Sequence, residues 1–138
     1  MVGAMDEVYS GLYEVFVKID QTKVVPTIGP VADGWFLQVL VSDKAFCSFR
    51  IEVTPHLFDI DVDEFAVGDV LHDCFDYRDV ILAIAGGNVA VATNTCCAIF
   101  YRDQLSVYMP DGRTFSIESG LKVFRRNMAE REFSSYLL

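Results

Sequence analysis

The chain has 138 residues, 52% of them hydrophobic, and a formal net charge of −9 from 20 acidic and 11 basic side chains. That length fits one domain, residues 1–138, and the apolar share is enough for a packed core, which excludes a disordered chain despite the charge. With a pI near 4.5, direct nucleic-acid binding is excluded for want of clustered positive charge, and docking on anionic membranes is disfavoured.

Residues 1–5 read MVGAM. Met5 is a natural start, and residues 1–5 are expected to be vector-derived or disordered. No basic segment followed by an apolar stretch opens the chain, so no secretory signal is read there. The longest nearly apolar run, Val80 to Thr93, is too short for a membrane helix and has Gly86, Gly87 and Asn88 at its centre. Four cysteines, Cys47, Cys74, Cys96 and Cys97, show no paired spacing. They read as reduced core or near-core thiols of a cytoplasmic protein, and nothing supports a Cys47–Cys74 bridge.

The dominant period along the chain is two, the signature of strands. Tyr13, Val15, Val17 and Ile19 alternate with Glu14, Phe16, Lys18 and Asp20. Pro26-Thr-Ile-Gly-Pro30 predicts a rigid loop. The run Trp35 to Val41 predicts a central strand, and Ser42-Asp43-Lys44 a turn. Cys47, Phe49, Ile51 and Val53 then face one way, while Ser48, Arg50, Glu52 and Thr54 face the other. This is a half-solvated antiparallel strand ended by Pro55.

His56 to Tyr77 is the least regular part and the most acidic. The stretch Glu52 to Asp79 holds nine acids (Glu52, Asp59, Asp61, Asp63, Glu64, Asp69, Asp73, Asp76 and Asp79) against Arg78 alone, so it carries −8 of the −9. A meander follows. Val80–Ala85 turns at Gly86-Gly87-Asn88 into Val89–Thr93. Thr95–Tyr101 turns at Arg102-Asp103-Gln104 into Leu105–Met109, and Pro110-Asp111-Gly112 leads to Arg113–Ile117. Ile117, Leu121, Phe124 and Met128 then recur at helical spacing after a Ser116 cap, with Lys122, Arg125, Arg126 and Arg131 opposite. Phe124 and Met128 read as core packing. The predicted fold is α+β and mainly antiparallel β: a strongly curved sheet or partial barrel of about eight or nine strands, with one C-terminal helix packed on it.

Asp59-Ile60-Asp61-Val62-Asp63-Glu64 is the sharpest motif. As a strand it sets Asp59, Asp61 and Asp63 on one face, about 7 Å apart, and turns Ile60 and Val62 to the core. A calcium loop also begins D-x-D-x-D, but it needs Gly at its sixth position and Glu at its twelfth. Glu64 and Val70 stand there, which excludes it. A solvated acidic edge explains the motif without function, because edge charge stops sheets from stacking. Asp73, Asp76 and Asp79, spaced by three, would align on a helical turn.

His56, His72 and Cys74 lack the paired spacing of zinc sites. Asp73 and Asp76 beside Cys74 oppose the thiolate that a nucleophile needs. No phosphate-binding, dinucleotide or hydrolase motif occurs. The chain is therefore expected to be non-enzymatic, without metal or cofactor.

Phe65, Phe75 and Tyr77 lie among the acids. Aromatic anchors rimmed by charge are what a protein interface uses. Asp59, Asp61, Asp63, Glu64, Asp69, Asp73, Asp76, Phe65, Phe75 and Tyr77 are thus the candidate partner-binding residues. The expected partner is a basic protein, such as a toxin or nuclease whose positive cleft an acidic domain can occupy. In general character the chain resembles bacterial toxin-neutralising immunity proteins. The resemblance is one of type, rests on no motif and transfers no residue roles. A small-molecule-binding barrel or enzyme is the alternative, with the aromatics lining a cavity. A third reading is a structural subunit docking its apolar C-terminal tail, Phe133 to Leu138, on its own copy.

Overall fold

The computed structural model describes residues 4–63, 65–96, 100–120 and 127–138. Two helices and nine strands appear among them, the strands in two wholly antiparallel sheets. The first is a five-stranded meander, β1 (Val25–Val31), β2 (Gly34–Leu40), β3 (Phe49–Val53), β4 (Leu57–Val62) and β5 (Phe65–Leu71), in that spatial order. The second comprises β6 (Val89–Cys96), β7 (Phe100–Tyr108), β8 (Thr114–Gly120) and β9 (Asn127–Glu132), in the order β8-β7-β6-β9. Helix α1 (Ala4–Phe16) packs on β2. Helix α2 (Tyr77–Ala85) lies against α1 and β7, and β5 approaches β8. The α+β class and antiparallel pairing are as expected, but among the described residues the strands form two sheets, with no closed barrel, and both helices precede the second sheet.

The first sheet follows the sequence pattern where that pattern was clean. Phe49, Ile51 and Val53 are buried in β3, and Phe58, Ile60 and Val62 in β4. β2 is an interior strand between β1 and β3. Pro26-Thr-Ile-Gly-Pro30 is not a loop. It forms β1, with Pro26 opposite Val39 and Pro30 opposite Trp35. Proline withholds a ladder donor, and the sheet edge is where a strand tolerates that.

Three expectations fail for one reason: apolar runs admit more than one period. Tyr13 to Ile19 alternates, but Val8, Leu12 and Val15 recur at helical spacing and are all buried. That longer stripe wins, and Asp6 and Glu7 suit the first turn of α1. The helix begins at Ala4, inside the segment expected to lack structure. Val80 to Ala85 is not a strand but most of α2. As a short apolar run it fits a buried strand as well as a helix, and the polar side of α2 lies in its first turn, at Arg78 and Asp79. Gly86 and Gly87 end it rather than turning a hairpin. Gly87 has φ 78, and a Cβ there would stand 2.7 Å from the carbonyl of Phe133 in the C-terminal segment.

The C-terminal helix is the third. Phe115 and Ile117 are buried and Ser116 is exposed, a period-two pattern that continues β8 to Gly120. Ser116 pairs with Ser106 instead of capping a helix. Met128 lies in β9, opposite Asn94, whereas Leu121, Lys122, Phe124, Arg125 and Arg126 lie outside the described residues. Likewise Arg102, Asp103 and Gln104 are mid-strand, opposite Asn94, Thr93 and Ala92.

One apolar core joins both sheets and both helices. The C-terminal segment closes it. Tyr136 is fully buried, its hydroxyl donates to the Cys47 carbonyl at 2.8 Å, and its backbone N–H donates to Ala85 O at 2.8 Å. Leu137 bridges Ile19, and the Leu138 N–H donates to Lys18 O at 2.9 Å. Among the described residues no helix is long and apolar enough to cross a membrane.

Candidate functional site: an acidic hairpin and an adjoining cleft

Because β4 alternates, Asp59 and Asp61 project from the sheet face opposite the core. Glu52 lies opposite Asp59 and Arg50 opposite Asp61 in the β3–β4 register. Arg50 pairs with Glu52 at 3.1 Å, donates to Gln38 at 3.0 Å, and lies over the Phe36 ring at 4.2 Å. Arg50 is thus held by its own sheet, ion-paired with Glu52 and opposite Asp61 in the register.

Val62 pairs with Phe65, and Asp63 stands in the connection with φ 55. Asp accepts this left-handed conformation better than most residues. Asp61 and Asp63 are both exposed. Glu64 lies outside the described residues. Further along β5 the register with β4 shifts by one between Phe58 and Ile60, so Gly68 and Asp69 together oppose Asp59. This is a β-bulge, and Asp69, at φ 55, is its left-handed residue. The Asp59 carboxylate accepts the Asp69 N–H at 2.7 Å. Asp59 therefore has a structural task within the bulge as well as a surface charge.

The remaining candidates lie at the other end of the hairpin. Seven residues of β5 separate the Asp63 turn from His72-Asp73-Cys74, a span of roughly 20 Å. The acids thus form two groups, not one continuous patch. Asp73 is exposed in the turn before α2 and does not join a helical row with Asp76 and Asp79. Asp76 is the N-cap of α2, accepting the Arg78 N–H at 2.9 Å. It also pairs with the Arg78 guanidinium at 3.0 Å, and Glu14 of α1 approaches the same group at 3.4 Å. Burial alone would raise the Asp76 carboxyl. The side-chain and backbone hydrogen bonds from Arg78 outweigh it and hold the group below its ordinary value.

The three aromatic candidates have different fates. Phe65 is buried at 6% exposure and belongs to the core, so it offers no accessible anchor. Phe75 is half-buried, edge-on to Phe115 and covered by Arg113 at 4.7 Å. Tyr77 is half-buried against His72, and burial pushes its phenol above the ordinary value. α1 crosses so close to Tyr77 that a Cβ at Gly11 would collide with the phenol oxygen.

Around Tyr77 lies an open cleft of about 290 Å³, lined by Glu7, Pro55, His72, Asp76 and Arg78 among others. Sequence reasoning missed it, because Glu7 belongs to helix α1, which the alternation from Tyr13 onward does not announce. His72 Nε2 lies 2.8 Å from Thr54 O. A carbonyl can only accept, so Nε2 carries the proton and Nδ1 is the acceptor in the neutral ring.

Cys47 is a buried thiol, whereas Cys74 is a free thiol, exposed rather than part of the core. Among the described residues no three of His, Cys, Asp and Glu stand together as a metal site. Comparison with protein-family models, with curated proteins and with solved structures gave no match.

Proposed function

We propose that this chain is a non-enzymatic binding protein of the cytoplasm that recognises and neutralises a basic protein, such as a toxin or nuclease. The observation that supports this most is the solvent face of β3 and β4. Glu52, Asp59 and Asp61 line one side of a strand pair whose other side is core, and Asp63 sits at its tip. Carboxylates on a strand pair are pre-organised, so little side-chain or backbone freedom is lost on docking. A net negative field, in which Arg50 offsets one of these acids, speeds encounter with a positive cleft and rejects acidic competitors. Asp73, at the far end of the hairpin, widens the footprint to the span of a typical interface. Reversing Asp61, Asp63 and Asp73 to Lys tests the reading: the fold survives and capture of the basic partner is lost.

The cleft beside Tyr77 supports a second reading, a small-molecule site. Its volume, about 290 Å³, is at the small end of ligand pockets. His72 Nδ1, the Tyr77 hydroxyl and the Glu7 carboxylate would orient a small polar ligand. A raised melting temperature on screening small cationic and polar compounds, abolished by His72→Ala, separates this reading from the first.

A further inference from the structure

Helix α1 carries a surface that the acidic hairpin does not explain. Beside its buried stripe, Tyr9, Tyr13 and Val17 recur at helical spacing and remain 37%, 47% and 46% exposed. The rings form a ladder. Tyr9 and Tyr13 lie 6.0 Å apart with planes 18° from parallel, and Tyr13 and Phe16 lie 5.8 Å apart at 16°. Trp35 of β2 braces the ladder, 4.7 Å from Tyr9. Core packing accounts for Val8, Leu12 and Val15 but not for tyrosines that face solvent.

The charge around the ladder selects its occupant. α1 holds Asp6, Glu7 and Glu14 and no Lys or Arg. Arg78, 3.4 Å from Glu14, offsets only part of this charge, so two copies laid helix to helix would set like charge against like charge, which disfavours self-pairing. A net charge of −9 likewise disfavours an anionic membrane. The chain already covers two of its other partly exposed rings with its own arginines, Phe36 by Arg50 at 4.2 Å and Phe75 by Arg113 at 4.7 Å. Among the described residues no cation covers Tyr9 or Tyr13.

We propose that the Tyr9–Tyr13–Phe16 ladder of α1 is a docking surface for an arginine-bearing segment of a basic protein. The guanidinium groups stack on the tyrosine rings, and the acids of the helix supply the attracting field. Trp35 has the same facing as Leu37 and Val39, and Phe36 the opposite facing. The ladder is therefore on the other side of the first sheet from the β3–β4 carboxylates, a separate surface that stands or falls independently of them.

Trp35 is the chain's one tryptophan and touches Tyr9, so its emission reports on the ladder. The test titrates the full chain with deca-arginine and deca-lysine peptides at low salt, following Trp35 emission and, in parallel, the anisotropy of labelled peptide. The inference expects a saturable Trp35 response and an affinity for deca-arginine about threefold or more above that for deca-lysine. Tyr13→Ala, which leaves the Tyr9–Trp35 contact in place, abolishes that preference, and Tyr13→Phe keeps it. Asp61→Lys with Asp63→Lys weakens both peptides without altering their ratio, which keeps the hairpin reading distinguishable. Peptide binding with unchanged Trp35 emission overturns the inference, as does absence of binding or equal affinity for the two peptides. A self-association of the free chain that Tyr13→Ala abolishes also overturns it, since a second copy is then the occupant.

Discussion

The carboxylate of Asp59 accepts the backbone N–H of Asp69 at 2.7 Å, across the point where β5 carries one residue more than β4. An acid that looked like one of three equal surface charges is thereby tied to the backbone of the next strand. Asp59→Ala removes a charge-assisted acceptor and is expected to cost about 1 kcal/mol, with Asp59→Asn recovering most of it. Urea denaturation of the three proteins checks this. Equal midpoints would mean that water replaces the carboxylate without loss.

The bulge makes a second demand at Asp69 itself. With φ 55, a β-branched side chain there is forced against its own backbone. Asp69→Val is expected to cost roughly 1–2 kcal/mol, whereas Asp69→Gly is tolerated. Thermal melts of the two variants give opposite rankings if the bulge is instead set by side-chain chemistry alone.

Asp76 couples the local charge to pH. As the N-cap of α2 it is worth about 1 kcal/mol at neutral pH, so Asp76→Ala melts at lower temperature. Its folded pKa lies below the ordinary 3.8 because the bonds from Arg78 outweigh burial. A depressed carboxyl contributes fully above its unfolded pKa, and that contribution is lost as pH falls through the folded value. The gap between wild type and Asp76→Ala is therefore constant from neutral pH down to the ordinary carboxylate range and narrows below it. A gap that widens on acidification would contradict the assignment.

Tyr136 anchors the C-terminal segment through its hydroxyl, 2.8 Å from the Cys47 carbonyl. Burial pushes its phenol far up, so it remains a donor throughout the accessible pH range. Tyr136→Phe removes this donor from a buried carbonyl at nearly unchanged volume and is expected to cost about 1–2 kcal/mol. Tyr136→Leu adds a packing defect and costs more. Chemical denaturation ranks the three.

Legibility in the sequence followed the number of periods a segment could satisfy. β3 was readable because Phe49, Ile51 and Val53 alternate with charged residues, leaving one solution, whereas β4 lay in the least regular stretch and only Ile60 and Val62, alternating with the acids, hinted at it. α1 was hidden because Tyr13 to Ile19 satisfies period two while Val8, Leu12 and Val15 satisfy the helix, and the choice rests on residues N-terminal to the ambiguous window. α2 was hidden because Val80 to Ala85 is a short apolar run that fits a buried strand as well as a helix. The acidic composition was plain, but its division was not. The acids are consecutive in sequence, and only the β4–β5 hairpin puts Asp63 and Asp73 at opposite ends of a strand. The Asp59–Asp69 bond depends on a one-residue register shift that no pattern of residue types announces. Phe65 shows the converse error: its acidic neighbours suggested an interface, and the alternation of β5 buried it.

The measurement that tests the central claim most directly is affinity capture with the wild-type chain and with the Asp61→Lys, Asp63→Lys, Asp73→Lys variant, each eluted by a salt gradient and analysed by mass spectrometry. The account predicts that a basic protein is retained by wild type at low salt, released as salt screens the carboxylates, and not retained by the folded variant. Equal retention of that protein by the variant would contradict recognition through the acidic hairpin.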